Sequence, residues 1–332
     1  MNTMISIVIS LYNEEDGVLS FWALLRAELI KMADIDFEVI WVNDGSTDQT
    51  QNRIEKLTTS HPGQNISHCS IEFSKNFGHE SAMIAGIDHA KGDAVICMDG
   101  DGQHPPAEIE NMLHAYQAGS DFVLMECIQR EDNGLVKKLL SASFYKLINR
   151  LSTIKLRNNA TDFFLISRQV ADILKTCYRE QNRFIRGFIQ SIGFSSVVLP
   201  FHAPSRLYGK SNYSLFRLFK HAFNAIFAFS NKPLRISMFF SVVFISFTVV
   251  FGLYTHYMYL YGDTPPSGYT SIIFLMLISF SLLFFTITIL SLYFEKVIQE
   301  MRQRPIYIIK NINHVLSKHN SLKNQEDIER QT

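Results

Sequence analysis

Short apolar runs alternate with amphipathic segments through the first hundred residues of the chain. The runs Ile5–Ser10, Phe37–Val42, Ile66–Phe73 and Ala94–Met98 have the length of strands and are rich in β-branched residues. Segments between them, such as Gly17–Lys31, repeat their apolar positions at helical spacing. Strands that alternate with helices predict an α/β domain whose parallel sheet is covered on both faces.

Two longer apolar runs, Ile236–Thr255 and Ile272–Phe294, lie near the C-terminus and contain no charged residue. A helix of about 20 residues spans the roughly 30 Å hydrocarbon core of a bilayer, so these runs predict a two-helix transmembrane hairpin. The alternative is a helical hairpin buried in a soluble core. Uncharged runs of this length are more typical of membrane helices.

Basic residues flank the hairpin but are missing from its connecting loop. Lys232 and Arg235 precede the first run, several basic residues follow the second, and residues 256–271 contain no Lys or Arg. The positive-inside rule therefore predicts an integral membrane protein with both the N-terminal domain and the C-terminus in the cytoplasm.

The overall composition excludes several classes of partner and site. The 31 basic residues balance the 31 acidic ones, so no nucleic acid partner is expected. The four cysteines form no CxxC pair, which argues against a zinc ribbon or a disulfide framework. The N-terminus has no basic segment before its first apolar run, so we expect no signal peptide.

Polar, acidic turns follow three of the predicted strands, at Tyr12–Glu14, at Asp44 and at Asp99–Asp101. The carboxyl ends of parallel strands share one edge of a sheet, where ligands of such folds bind. Neither a GxGxxG fingerprint nor a P-loop is present. The carboxylates of Glu14 and Asp44 can accept hydrogen bonds from a base and a ribose, and Tyr12 can stack on the base. A nucleotide site is therefore predicted.

The spacing of Asp99 and Asp101 suggests a divalent metal ion. A nucleotide diphosphate carries negative charge that two carboxylates would repel, unless a cation bridges the carboxylate and phosphate oxygens. Mg²⁺ or Mn²⁺ suits such an oxygen-rich site. Either ion would also stabilise negative charge on the diphosphate. A solvated acidic turn is the structural alternative.

Seven short motifs follow in order along the chain: Leu11–Glu15, Val42–Asp48, Ser74–His79, Met98–Pro106, Asp162–Leu165, Asn182–Gly187 and Arg206–Ser211. Together they resemble the family 2 (GT-A fold) glycosyltransferases, in the polyprenyl-phosphate sugar transferase branch that includes bactoprenol glucosyltransferases and dolichol-phosphate mannose synthases. The resemblance runs from Ile5 to about Tyr213 and, for the bacterial members, through both apolar runs. It implies a Rossmann-like, mostly parallel sheet and suggests a homo-oligomer, with a tetramer as the expected state.

The domain organisation follows from the motifs and the hydropathy together. A basic, Phe-rich amphipathic segment before the first apolar run predicts an interfacial helix. Residues 137–155 have a similar pattern, and there an ordinary core helix is an equal alternative. The predicted divisions are a catalytic domain (1–210), an interfacial helix (211–234), two transmembrane helices (235–294; about 236–257 and 271–293) and a cytoplasmic tail (295–332).

The resemblance also implies roles for individual residues. Asp101 and Gln103 are expected to contact the metal ion, while Asp99 faces the metal or the nucleotide. Asp162 is the candidate catalytic base, and Asp101 is the second candidate catalytic residue. A phosphomonoester is largely a dianion at pH 7, so Asp162 has the alternative role of binding a sugar hydroxyl or orienting the acceptor.

The remaining candidate residues contact the two substrates. The nucleotide-sugar set is Tyr12, Asn13, Glu14, Asp44, Ser46, Lys75, Asn76, Gly78, Asp99 and Arg130. The acceptor-phosphate set is Arg183, Arg186, Arg206 and Lys210, for which binding of lipid headgroups is the alternative. Arg130 is expected to close over the nucleotide, although residues 129–134 contain fewer arginines than the family's usual loop.

The predicted function is an inverting, metal-dependent transfer of one sugar to polyprenyl (undecaprenyl) phosphate. The expected donor is a UDP-sugar, with UDP-glucose as the first choice because the bacterial glucosyl branch shares the two-span layout. A processive polysaccharide synthase is one alternative, but the QxxRW motif of such enzymes is absent. A non-catalytic scaffold or binding subunit is the other, and the intact acidic motifs disfavour it.

Overall fold

The structure is a computed structural model that describes residues 3–60, 65–130, 160–181, 183, 185–204, 232–261 and 268–315. The chain divides into two compact units. The described part of the first unit is residues 3–204 with the gaps above, together with 305–315, and that of the second is residues 232–304. The predicted amphipathic segments at 137–155 and 211–231 lie outside the described residues.

The described part of the first unit alternates strands and helices, as the hydrophobic pattern predicts. Its strands are β1 (Met4–Leu11), β2 (Asp36–Asn43), β3 (Ile66–Phe73), β4 (Ala94–Asp99), β5 (Phe122–Arg130), β6 (Ala160–Ser167), β7 (Ser196–Ala203) and β8 (Ile309–Val315). Its helices are α1 (Val18–Lys31), α2 (Thr50–Ser60), α3 (His79–His89), α4 (Glu108–Gln117), α5 (Arg168–Cys177) and α6 (Ile185–Ile192).

These strands form one sheet in the order β7-β5-β6-β4-β1-β2-β3-β8. Strands β4, β1, β2 and β3 are parallel neighbours, whereas β6 runs antiparallel to β4 and β5, and β8 runs antiparallel to β3. In β1, Ile5, Ile7, Val8 and Ile9 are all at most 1% exposed, so both faces of this central strand are covered. Burial on both faces explains the nearly continuous apolar run. The expected mostly parallel sheet is confirmed.

Strand β8 was not predicted from the sequence, and it comes from the segment that follows the second long helix. It covers the edge of β3, where unpaired backbone groups would otherwise remain exposed. Tyr307, just before β8, stacks on Phe73 with ring centroids 5.3 Å apart, and its hydroxyl donates to Asp88 at 2.7 Å. Arg179 donates twice to the same carboxylate, at 2.9 and 3.0 Å. These contacts tie residues 307–315 to the sheet domain.

The second unit contains two long helices, α7 (Lys232–Tyr261) and α8 (Tyr269–Met301). Their stretches Ser237–Met258 and Ser271–Met301 are long and apolar enough to cross a membrane, with mean hydropathies of 2.0 and 2.7. In the most apolar 18 residues of each stretch, 0% and 6% of the residues are buried, which is not the burial expected of helices in the core of a soluble protein. Helix α8 extends beyond the end near residue 293 that the sequence predicts.

Candidate active site

The candidate site is built on the carboxyl ends of β1, β2 and β4. Ser10 lies opposite Asp99 in the pairing of β1 with β4, and Leu11 lies opposite Asn43 in the pairing of β1 with β2. The parallel register therefore brings the three polar turns side by side, as their positions after the strands predict.

Hydrogen bonds join the turns after β1 and β2. The N–H of Asn13 donates to Ser46 Oγ at 2.9 Å, and Asn13 Oδ1 accepts the N–H of Thr47 at 2.9 Å. The N–H of Glu14 donates to Thr50 Oγ1 at 2.9 Å. Asn13 adopts a positive φ of 55°, a conformation that Asn tolerates better than most residues. The predicted nucleotide contacts Asn13 and Ser46 thus also fix the shape of the site.

Asp44 supports the loop formed by residues 74–78. Its Oδ1 accepts the N–H of Phe77 at 2.6 Å, and its Oδ2 accepts the N–H of Gly78 at 2.9 Å. The side chain is 3% exposed. Burial raises the pKa of Asp44, and the two backbone hydrogen bonds partly oppose that rise. The buried carboxylate of Asp44 therefore holds the backbone of this loop in place.

The loop above Asp44 packs closely on Gly45, which has a φ of +64°. A Cβ atom at Gly45 would lie 2.2 Å from the backbone carbon of Lys75 and 2.6 Å from the backbone nitrogen of Asn76. The side chains of Lys75 and Asn76 are exposed, and Tyr12 is 46% exposed. These predicted nucleotide contacts are therefore accessible to a ligand.

The acidic turn after β4 presents two carboxylates. Asp99 Oδ1 accepts the Ser10 hydroxyl at 3.2 Å, and the Asp99 N–H donates to His104 Nδ1 at 2.9 Å. Asp101 Oδ1 accepts the N–H of Gln103 at 3.0 Å. Both aspartates are partly exposed. Among the described residues, no three His, Cys, Asp or Glu side chains are grouped so as to hold a metal ion.

His79 joins the acidic turn to Asp162. Its Nε2 lies 3.4 Å from Asp99 Oδ1 and 3.5 Å from Asp162 Oδ2, while its Nδ1 lies 2.9 Å from Ser10 Oγ. Burial opposes protonation of this imidazole, but the charges of Asp99 and Asp162 outweigh it and raise the pKa of His79 to about 10. His79 ends the motif Ser74–His79, but no local pattern in the sequence predicts its role between the two aspartates.

Asp162 lies on β6 and is 19% exposed as a side chain. Its Oδ1 is 2.8 Å from Arg186 Nε. Burial alone would raise the pKa of Asp162, but Arg186 and His79 hold it well below its usual range. Asp162 is therefore an anion at neutral pH, with two cations beside it.

The first turn of α3 bonds to the segment that carries the two arginines. Arg183 Nη2 donates to Ser81 Oγ at 2.8 Å, and the N–H of Ile185 donates to Glu80 Oε2 at 3.0 Å. Burial raises the pKa of Glu80 to about 7, and the charge of Asp162 adds to the rise. Glu80 and Ser81 could not be predicted from the sequence, because their partners lie about a hundred residues away.

The structure describes most of the predicted site residues but not all of them. Arg186 lies beside Asp162, Arg183 bonds to Ser81, and Gln103 lies in the acidic turn. Residues Arg206 and Lys210 lie outside the described residues, as does the side chain of Arg130 at the end of β5. In the described site, His79 links the acidic turn to Asp162, and Arg186 pairs with Asp162. Arg183 bonds to Ser81, in the same helix as His79. This arrangement can hold two anionic ligands, one through a cation and one directly.

Comparisons with known proteins identify the family of the chain. The family model "Glycosyl transferase family 2" matches residues 6–174. "Bactoprenol glucosyl transferase" of Shigella phage SfV is 33% identical over 307 residues, which cover 92% of this chain and 98% of that protein. "Putative glycosyltransferase CsbB" of Bacillus subtilis (strain 168) is 32% identical, covering 93% of this chain and 92% of that protein. Among solved structures, mannosyl-3-phosphoglycerate synthase from Rubrobacter xylanophilus is 16% identical, covering 68% of this chain and 72% of that one, with a TM-score of 0.45.

Proposed function

The chain belongs to glycosyl transferase family 2, and we propose that this glycosyltransferase moves a single sugar from a nucleoside diphosphate to a polyprenyl phosphate. The observation that carries the proposal is the link from the acidic turn through His79 to Asp162, which pairs with Arg186, while Arg183 bonds to Ser81 in the same helix as His79. Relatives named bactoprenol glucosyl transferase match 92% of the chain, which includes both apolar helices. Glucose carried by UDP is therefore the proposed donor group, and undecaprenyl phosphate is the proposed acceptor.

The donor is proposed to bind over the turns after β1, β2 and β4. Tyr12 stacks on the base, and Glu14 accepts hydrogen bonds from the nucleoside. Lys75 places a positive charge beside the diphosphate, while Asn76 and Gly78 let the loop approach it closely. Asp44 acts mainly from beneath, because its carboxylate is already bonded to that loop.

The residues of the acidic turn fit a divalent cation, Mg²⁺ or Mn²⁺. Asp99 and Asp101 offer carboxylate oxygens from one turn, and Gln103 adds an amide oxygen; the diphosphate would supply further oxygens. Sites for Mg²⁺ often combine one or two carboxylates with substrate phosphates in this way, which explains why no complete three-residue cluster is needed. When bound, such an ion neutralises charge on the departing diphosphate.

The proposed reaction inverts the configuration of the sugar. Arg183 and Arg186 hold the acceptor phosphate, whose oxygen attacks the anomeric carbon opposite the diphosphate. The bond from that carbon to the acceptor oxygen forms while its bond to the diphosphate breaks, and the electron pair leaves with UDP. Asp162 is anionic and pairs with Arg186, so it keeps Arg186 directed toward the site. Its lowered pKa makes it a weak base, and the acceptor phosphate is already largely a dianion at pH 7, so the orienting role is the one we propose for Asp162. Positioning and charge neutralisation supply most of the rate.

The apolar helices α7 and α8 are proposed to anchor the enzyme in the inner membrane as two spans, with the catalytic domain and the C-terminus in the cytoplasm. The interfacial helix at 211–234 would keep the site near the lipid phosphates, where Arg206 and Lys210 complete the acceptor site and Arg130 closes over the donor. A homo-oligomer, with a tetramer as the expected state, completes the proposal.

A transfer assay with the full chain tests this function. The purified protein in detergent is incubated with radiolabelled UDP-glucose, undecaprenyl phosphate and Mg²⁺, and the lipid fraction is counted and analysed by mass spectrometry. One hexose per lipid, lost with EDTA, supports the proposal. A panel of UDP- and GDP-sugars identifies the donor. A polymeric product would indicate a processive synthase, and donor binding with no transfer to lipid from any donor would indicate a binding subunit.

A further inference from the structure

The first turn of α3 carries three consecutive polar residues that bond to different parts of the candidate site. His79 contacts Asp99 and Asp162, as described above. Glu80 and Ser81 instead bond to the segment that carries Arg183 and Arg186. A single helical turn therefore connects the donor side of the site with the acceptor side.

Ser81 links the donor loop to one arginine. Its hydroxyl donates to the carbonyl oxygen of Phe77 at 2.7 Å and accepts from Arg183 Nη2 at 2.8 Å. A serine hydroxyl has one proton to donate and lone pairs to accept, so both bonds form together. Ser81 is 1% exposed, so water does not readily replace either bond. The hydroxyl thereby fixes the guanidinium of Arg183 relative to the loop that Asp44 supports.

Glu80 fixes the start of α6. Its carboxylate accepts the N–H of Ile185, the first residue of that helix, across a sequence separation of 105 residues. A side-chain acceptor at a helix N-terminus satisfies a backbone donor that has no partner within the helix. Arg186 is the next residue, and its guanidinium reaches Asp162. The position of Glu80 therefore decides where Arg186 lies along the acceptor side.

We propose that Glu80 and Ser81 are positioning residues for the acceptor phosphate, which they hold in place through Arg186 and Arg183 respectively. This inference rests on the proposed function of the same site. It goes beyond that function because it assigns two roles to the first turn of helix α3. His79 contacts the carboxylates of Asp99 and Asp162, whereas Glu80 and Ser81 position Arg186 and Arg183. Loss of Glu80 or Ser81 then harms use of the acceptor much more than binding of the donor.

The test measures the acceptor KM and the donor affinity separately in the full chain in detergent. The variants are Glu80→Ala, Glu80→Gln and Ser81→Ala, and undecaprenyl phosphate is the acceptor probe. Isothermal titration with UDP-glucose and Mg²⁺ gives the donor Kd. Glu80→Ala and Ser81→Ala should each raise the acceptor KM about tenfold, the effect of losing one hydrogen bond to a charged group, with the donor Kd changed less than about twofold. Glu80→Gln keeps an oxygen that accepts the Ile185 N–H, so it should recover part of the loss.

Ser167→Ala is the matched control, because Ser167 is a buried serine whose hydroxyl accepts the N–H of Val170 at the start of α5. Its acceptor KM should stay near that of the wild type, even if the melting temperature falls. If Glu80→Ala and Ser81→Ala lower the melting temperature but leave the acceptor KM at the control value, or change donor and acceptor equally, the inference is wrong. If the wild-type protein forms no lipid-linked sugar with any donor, the proposed function itself fails.

Discussion

Replacement of Gly45 by alanine should damage the donor side of the site more than a positive φ alone explains. Gly45 has a φ of +64°, and Gly119, between α4 and β5, has a φ of +98°. Alanine in this backbone region costs about 1–2 kcal/mol at either position. A Cβ at Gly119 has no atom within 4 Å, whereas at Gly45 it would lie 2.2 Å from the backbone carbon of Lys75.

The steric clash at Gly45 sets the size of the destabilisation expected for Gly45→Ala. Ordinary contact begins near 3.4 Å, so the backbone of Lys75 must move by about 1.2 Å (3.4 − 2.2), and no side-chain rotation relieves the overlap. Overpacking of this kind costs about 1–3 kcal/mol, which gives a total of about 2–5 kcal/mol for Gly45→Ala. Because the displaced loop carries Lys75 and Asn76, we expect the donor affinity to fall about tenfold or more.

The assay compares Gly45→Ala with Gly119→Ala in the same detergent. Differential scanning fluorimetry at one scan rate gives the melting temperatures, and calorimetric titration with UDP-glucose and Mg²⁺ gives the Kd. Gly119→Ala should lower the melting temperature by a few degrees and leave the Kd unchanged. Equal melting temperatures and equal Kd values for the two variants would refute the reasoning, because they would mean that the loop does not rest on Gly45.

Three further predictions follow from the site, the C-terminal strand and the cysteines. Asp101→Ala should abolish transfer while the melting temperature stays within a few degrees of the wild type; near-full activity would contradict the metal assignment. Tyr307→Phe removes the hydroxyl that donates to Asp88 at 2.7 Å, so it should destabilise the protein by about 1.5 kcal/mol. Burial and Asp88 raise the pKa of Tyr307, so its hydroxyl keeps its proton in the folded protein. The difference in melting temperature between wild type and Tyr307→Phe should therefore be constant from about pH 6 to pH 9, below the ordinary tyrosine pKa of about 10. A difference that disappears within this range would contradict the role of this hydrogen bond. Maleimide at about pH 7.5 should label Cys177 alone in the native protein, because the other three cysteines are buried, and all four after denaturation; labelling of more than one thiol in the native state would show that the sheet domain opens.

The order of strands and helices could be predicted because its signals are local. The alternation of apolar runs with amphipathic segments gave β1 to β4 and the helices between them, and each predicted acidic turn lies at a strand end. The two apolar helices are equally visible in the sequence, because length and lack of charge are properties of a continuous segment. Motif order pointed to the family, which the comparisons confirm.

The roles of several side chains could not be predicted, because they depend on distant partners. The nucleotide contact of Asp44 stays a prediction, and the structure adds that its carboxylate bonds to the loop at Phe77 and Gly78. His79 stands between Asp99 and Asp162 only because α3 begins beside the carboxyl end of β1. No periodic pattern in the sequence predicts a contact of this kind between distant residues.

The alternation of elements, the apolar hairpin and the acidic turns can be predicted from the chain alone, since each depends on residues that are neighbours in it. Long-range contacts cannot: β8 pairs with β3, with Lys310 bonded to Glu72 across 238 residues, and Glu80 supports the start of α6. Hydrogen bonds and ion pairs depend on distances of a few ångströms in space. Those distances are set by strand register and helix packing, which a local pattern of residues does not contain.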